Sequence, residues 1–145
     1  MRLPNKFEYS LLAMLALVDS YQNGDPMQIK QIAELKGIQN RYLEQLLATL
    51  RCQGLINSIR GAKGGYILAR DPRKITVLDV LTAIEGVEID APANNTTIDT
   101  MESSIVEEVW QEACQAANFV FQKHSLQDLW ERRSKRQQME LMYYI

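Results

Sequence analysis

The sequence predicts a mainly α-helical chain with one small β-hairpin and a long helix toward its C-terminus. Three observations predict it. Apolar residues recur at helical spacing through most of the first fifty positions. One glycine-rich cationic stretch, RGAKGG at 60–65, lies between two short alternating segments. A single apolar stripe then follows residues 100–123 for about six turns.

The first segment, FEYSLLAMLALV at 7–18, places Phe7, Leu11, Leu12, Met14, Leu15 and Val18 at a 3.6-residue period, which suits a mostly buried helix. YQNGDP at 21–26 is a turn by composition. A short helix is predicted at about 28–36, with Ile29, Ile32, Ala33 and Leu35 apolar and Gly37 where a C-terminal glycine belongs. A longer helix follows from about Asn40 to Gln53, with Leu43, Leu46, Leu47 and Leu50 on one face. Its other face shows Arg41, Gln45 and Arg51, and Gly54 ends it. Two short helices joined through GIQN form a helix-turn-helix pattern.

LINSI at 55–59 and GYILA at 65–69 alternate like half-buried strands, with RGAKGG at the tip between them. A loop rich in Gly and Lys can also cradle phosphates. The Walker form of that loop needs Ser or Thr after the Lys and a helix after the loop. Here Gly64 follows Lys63 and a strand follows the loop, so the nucleotide reading falls away. A helix-turn-helix followed at once by a basic hairpin is the order of a winged helix, whose wing reaches DNA beside the recognition helix. The wing glycines are expected to let the backbone approach a duplex closely.

TVLDVLTAIEG at 76–86 predicts a helix opened by Thr76 and Asp79 in a capping box and ended by Gly86. VEIDAPANNTTID at 87–99 reads as a polar loop. The long stripe consists of Met101, Ile105, Val109, Ala113, Ala116 and Val120. The first four helices already fill a small core, so this stripe is expected to form a dimer seam, with Ala113, Ala116 and Ala117 permitting close approach. Ser125 and Asp128 suggest a capped start to a last helix, SLQDLWERRSKRQQ, and the tail MELMYYI is expected to dock or fray. The domains expected are 1–88, a winged helix-turn-helix; 89–99, a linker loop; and 100–145, the dimerisation and C-terminal helices.

Composition narrows the function. With 145 residues, 46% hydrophobic and 23% charged, the chain is globular and about one domain long. The net charge of −2 hides a division: residues 1–75 hold eleven Lys and Arg against six Asp and Glu, while the rest holds five against twelve. A basic half joined to an acidic half suits a nucleic-acid partner for the first. No apolar run is long enough to span a bilayer and no signal-peptide core opens the chain, so a cytoplasmic protein with no membrane partner is expected. Cys52 and Cys114 are too far apart for a paired metal-ligand spacing, and His124 is the single histidine. No nucleophile–base pair is indicated, so the protein is not expected to be an enzyme.

MRLPNKFEYSLLAMLAL, then IKQIAELKGIQNRYLEQLLATLRCQGLINSIRGAKGGYILAR, then ITVLDVLTAIEG resemble the Rrf-two family of bacterial winged-helix transcription regulators, the group that includes iron–sulfur and nitric-oxide sensors. The resemblance is strong over about residues 1–88 and architectural beyond 98. It implies a homodimer whose long helices pair and whose two winged units read a palindromic operator on double-stranded DNA. Position by position, it puts Gln39, Asn40 and Arg41 at the start of the recognition helix, with Tyr42 and Gln45 nearby. It puts Arg60, Gly61, Lys63, Gly64 and Gly65 in the wing and Arg2 against the sugar–phosphate backbone. The basic outward face of the recognition helix adds Arg51 to the expected DNA-contacting set.

The chain departs from the family at the loop where many relatives hold an iron–sulfur cluster on three cysteines. Here that loop has neither Cys nor His and offers only Glu88, Asp90 and Asp99. Clusters require thiolates or occasional imidazoles, so no conventional cluster is expected and no metal site is assigned. Glu8 lies where some relatives use an unusual glutamate ligand, but its thiolate and imidazole companions are missing. The reading is therefore a DNA-binding repressor acting as a homodimer. Two alternatives stand beside it. One is an iron–sulfur or redox sensor with atypical ligands, in which Cys52 is a redox-sensitive thiol beside Arg51 and Arg60. The other is a protein-binding winged helix that touches no DNA.

Overall fold

The computed structural model describes residues 3–89 and 100–143. Helix α1, Asn5–Asn23, occupies the middle of the molecule and contacts helices α2 (Ile29–Lys36), α3 (Asn40–Cys52), α4 (Val77–Ile89) and α6 (Leu126–Tyr143). Met14, Leu17, Val18, Ala13 and Ala16 are completely buried. Leu11, Leu12 and Leu15 are only half-buried. Neighbours surround α1 on several sides, so its small alanines matter as much as its leucines. Its two buried hydroxyls turn back onto their own helix, Ser10 Oγ donating to Lys6 O at 2.6 Å and Ser20 Oγ to Leu17 O at 3.1 Å. Neither costs the core an unpaired polar group.

Helix α2 stops at Gly37, whose φ of 65° places it in the left-handed region that only glycine enters freely. The amide of Ile38 returns to Ala33 O at 3.1 Å, and the Ile38 side chain tucks into the core. That hydrophobic closure sets the turn into α3. Leu43, Leu46, Leu47 and Leu50 bury the inner face of α3, as their spacing predicts.

Strands β1 (Ile56–Ile59) and β2 (Gly65–Leu68) pair antiparallel, with Ile56 opposite Leu68 and Ile59 opposite Gly65. Ile56 and Leu68 anchor the base of the hairpin in the core, while its tip is exposed. Met27, just before α2, joins the other edge of β2. Its amide donates to Tyr66 O at 2.9 Å, and the Tyr66 amide donates back at 2.8 Å. Periodicity could not reveal a one-residue strand.

Two wing glycines have an intramolecular reason. A Cβ on Gly64 would overlap the carbonyl oxygen of Ile59, and one on Gly65 would lie 2.5 Å from Met27 O. Gly64 is buried, and its amide closes the turn onto Gly61 O at 2.9 Å. Gly61 differs: its φ is 116°, and open space lies around it. The hairpin thus needs glycine at 64 and 65 to pack against itself and Met27, whatever approaches from outside.

After a 3₁₀ turn at Pro72–Lys74, the Thr76–Asp79 capping box opens α4, each side chain accepting from the other's amide at 3.0 Å. The helix does not end at Gly86, as expected, but continues to Ile89. A glycine inside a helix costs only about 1 kcal/mol relative to alanine, which does not force an end. The rest of the expected loop, residues 90–99, lies outside the described residues.

Helix α5, Met101–Lys123, opens on Thr100, whose hydroxyl accepts from the Ser103 amide at 3.1 Å. The corner into α6 is stitched to the start of α4 by Val77 N–H to His124 O at 2.9 Å and Leu126 N–H to Ile75 O at 2.8 Å. Ser125 and Asp128 form the expected reciprocal cap. The Ser125 backbone N–H holds the Asp128 carboxyl below its ordinary value of 3.8. The tail expected to dock or fray stays helical to Tyr143. Asp19 of α1 accepts from Trp130 Nε1 at 2.6 Å and Arg133 Nη1 at 3.2 Å, clamping α6 to the centre of the fold.

Two outcomes are expected. Gly64→Ala lowers unfolding stability by about 2 kcal/mol or more, and Gly61→Ala by less, in urea titrations followed by circular dichroism. Equal costs would show that the Ile59 overlap is relieved cheaply. Asp128→Asn destabilises at neutral pH. Because the folded Asp128 titrates below its unfolded value, its contribution is present above about pH 4 and fades as pH falls through the folded value. The gap between wild type and variant in thermal melts therefore closes on acidification.

Candidate nucleic-acid interface

The N-terminal turn of α3 presents Gln39, Asn40 and Arg41 to solvent, with Gln45 exposed one turn later and Arg51 exposed at the end of the helix. No side chain caps this helix at Gln39. Its first amides and the positive end of its dipole are thus left to an outside acceptor. Tyr42 is half-buried, and its ring meets Tyr9 of α1 edge-on, with centroids 5.7 Å apart and an 82° angle between planes. Tyr9 was not singled out by sequence; it braces the first turn of α3 from behind. Asn5, Tyr9, Ile38, Gln39 and Tyr42 line a groove of about 480 Å³ beside that turn.

The hairpin starts almost where α3 ends. The Leu55 amide bonds Leu50 O at 3.0 Å, tying the residue before β1 to the last turn of α3. Arg60, Gly61 and Lys63 are exposed at its tip, while Gly65 is half-buried and Gly64 buried. Arg2 lies outside the described residues.

The cations divide into two kinds. Arg70 pairs with Asp79 and Arg133 with Asp19, each at 3.2 Å. Among the described residues Arg41, Arg51, Arg60 and Lys63 have no carboxylate within 4.0 Å. Unpaired surface cations keep their full field for an anionic partner, and these four lie on one helix and on the hairpin that follows it.

Cys52 is exposed at the end of α3, and Cys114 is half-buried on α5; both are free thiols. Among the described residues no group of three or more His, Cys, Asp or Glu side chains gathers to hold a metal. The loop at 89–99 contains no cysteine or histidine. The thiolates of a conventional iron–sulfur centre at that loop are therefore missing from the sequence, and the residues do not fit such a group.

Along α5, Met101 is 83% exposed, Val109 62% and Val120 50%; Ile105, Ala113 and Ala116 are exposed too. None of its described side chains is buried, although Phe121 touches Phe7 edge-on at 6.1 Å. The predicted stripe thus stays uncovered within the chain, joined by Val106, Trp110 and Phe119. No described helix is long and apolar enough to cross a membrane.

The family model described as Rrf2, iron-dependent transcriptional regulator, matches residues 3–132. The transcriptional regulator CymR of Bacillus subtilis is 34% identical over 129 residues, 89% of each chain. IscR of Xenorhabdus nematophila is 44% identical over 85 residues; the match covers 59% of this chain and about half the length of that relative. Among solved structures, IscR of T. potens superposes with a TM-score of 0.79 at 34% identity, covering 94% of this chain and 91% of its own. CymR of B. subtilis, described as its global cysteine regulator, gives 0.73 at 32% identity, covering 91% and 98%.

Proposed function

Because the chain belongs to the Rrf2 family of DNA-binding transcriptional regulators, not to an enzyme family, we propose that it is a repressor that binds a palindromic operator as a homodimer. The observation that carries this reading is the set of four unpaired cations, Arg41, Arg51, Arg60 and Lys63, on one helix and the hairpin that follows it directly. In the proposed complex the first turn of α3 enters the major groove. Arg41 is suited to a bidentate contact with guanine, and Asn40 or Gln45 to one with adenine. Lys63 and Arg60 take phosphates from the wing, and Arg51 holds the backbone flanking the recognition helix. Tyr9 fixes the first turn through Tyr42, so that these side chains meet the bases in one register.

The homodimer rests on the uncovered stripe of α5. A helix of 23 residues is about 35 Å long and needs a surface to bury its apolar face. A second copy offers the same stripe in return, which suits a two-fold interface. Two winged units related by that axis match a palindrome. A repressor needs nothing more than occupancy of an operator overlapping a promoter.

The reading is tested by DNA titrations over a range of salt. Lys63→Ala is expected to weaken binding to all sequences alike and lower the salt slope by about one unit. Arg41→Ala relaxes discrimination at one base position per half-site, by about 1–3 kcal/mol. Binding that ignores salt would remove DNA as the partner and favour a protein-binding winged helix. Val109→Glu, on the outward stripe, is expected to yield monomers in sedimentation analysis and weaken operator binding at least tenfold while leaving the helical content unchanged. A dimer that survives this substitution would move the interface off α5.

A further inference from the structure

Behind the recognition elements, α1 and α6 leave a groove of about 360 Å³. That is the lower end of the range of small-molecule sites. Half-buried Leu15 of α1 and Leu129 of α6 give it an apolar floor, and Arg132, Arg133 and Arg136 stand around it. Glu140 also lines it, so the rim carries three cations against one anion.

The three arginines are not equally engaged. Arg133 holds Asp19 at 3.2 Å. Arg132 reaches His124 Nδ1 at 3.5 Å and adds its field to Asp128. Arg136 has no ion-pair partner among the described residues. A guanidinium beside an apolar floor and without a carboxylate of its own is suited to take one from outside in a forked pair.

We propose that this groove is an effector site for a small organic anion, a carboxylate on a short apolar body. The carboxylate pairs with Arg136 and Arg132, and the hydrocarbon lies on Leu15 and Leu129. The site deepens the regulatory reading and depends on it only for the consequence at DNA. That consequence runs through Arg133. An anion in the groove competes with Asp19 for this side chain. Asp19 belongs to α1, which packs directly on α2 and α3 of the helix-turn-helix. Loosening the Asp19–Arg133 pair thus alters the clamp between α6 and the helices that present α3.

The test is calorimetric titration of the full-length protein, without DNA, using butanoate, hexanoate and octanoate, with hexanol and hexylamine as controls. Affinity is expected to rise roughly fourfold per buried methylene until the floor is filled, and the alcohol and amine to show no binding. Arg136→Gln weakens hexanoate about tenfold and Leu15→Ser flattens the chain-length series, whereas Lys135→Gln, on the same helix but outside the groove, changes nothing. No carboxylate binding, equal binding of hexanol, or an unchanged Arg136→Gln would overturn the site. Carboxylates that act by dissociating the dimer would overturn it too, because the groove would then belong to a second copy. Hexanoate is further expected to shift DNA affinity in wild type and not in Arg136→Gln. An unshifted affinity with intact hexanoate binding would overturn the coupling to DNA, and loss of DNA binding altogether would leave the groove measurement standing.

Discussion

The burial of α1 is the constraint on which the rest depends. Met14, Leu17 and Val18 are completely enclosed. The helices that enclose them are α2 and α3 of the helix-turn-helix, α4 and α6. A helix surrounded in this way cannot shift without moving its neighbours, since cores are packed to crystal-like density. The orientation of α3 relative to the wing is therefore a property of the core, reached through Leu43, Leu47 and Leu50 on one side and Ile56 and Leu68 on the other. What α3 presents outward is free to vary, because none of Gln39, Asn40, Arg41 or Gln45 supports the fold from within.

Charge follows the same separation. Cations that hold the fold are paired: Arg70 steadies the cap of α4 through Asp79, and Arg133 joins α6 to α1 through Asp19. Cations on the recognition helix and the wing are left unpaired among the described residues. The arrangement has a physical logic. A surface ion pair adds at most about 1 kcal/mol to stability, so leaving these residues unpaired costs the fold little and preserves their attraction for phosphate. Glu107, Glu108 and Glu112, part of the acidic surplus of the second half, are exposed on α5, away from the basic half in sequence.

Most of this was legible before any coordinates. The leucines of α3, the glycine at 37, the hairpin around RGAKGG and both Ser/Thr–Asp caps are local signals, and local signals survive folding unchanged. Less legible were features that depend on distant neighbours. The Met27 bridge is one residue long and has no period to detect. Tyr9 belongs to α1 by sequence and to α3 by contact. Gly86 carries the usual mark of a helix end, yet α4 passes through it, because a cost of about 1 kcal/mol does not force a helix to stop. The wing glycines illustrate the converse. They were expected to serve a close approach to DNA, and at 64 and 65 the chain's own backbone already requires them. Their presence in the sequence therefore says more about the hairpin than about its partner.

The uncovered length of α5 and the clamp on α6 bear on each other. Between Thr76 and Ser125 a short antiparallel bridge ties the α5–α6 corner to the start of α4, and Leu126 enters the core beside it. From that fixed corner α5 leaves with no buried side chain, while α6 turns back onto α1 through Trp130 and Arg133. In the proposed dimer α5 is thus joined to the core through this corner, and α6 is the next element in line. Beside the apolar packing of Leu126, Leu129 and Trp130, its polar hold on α1 runs through Asp19, one oxygen accepting from an indole and the other from a guanidinium. Each carboxylate oxygen has its own donor, so removing the guanidinium leaves the indole bond in place. In the proposed site an anion that draws Arg133 away therefore leaves α6 docked through Trp130 and Leu126.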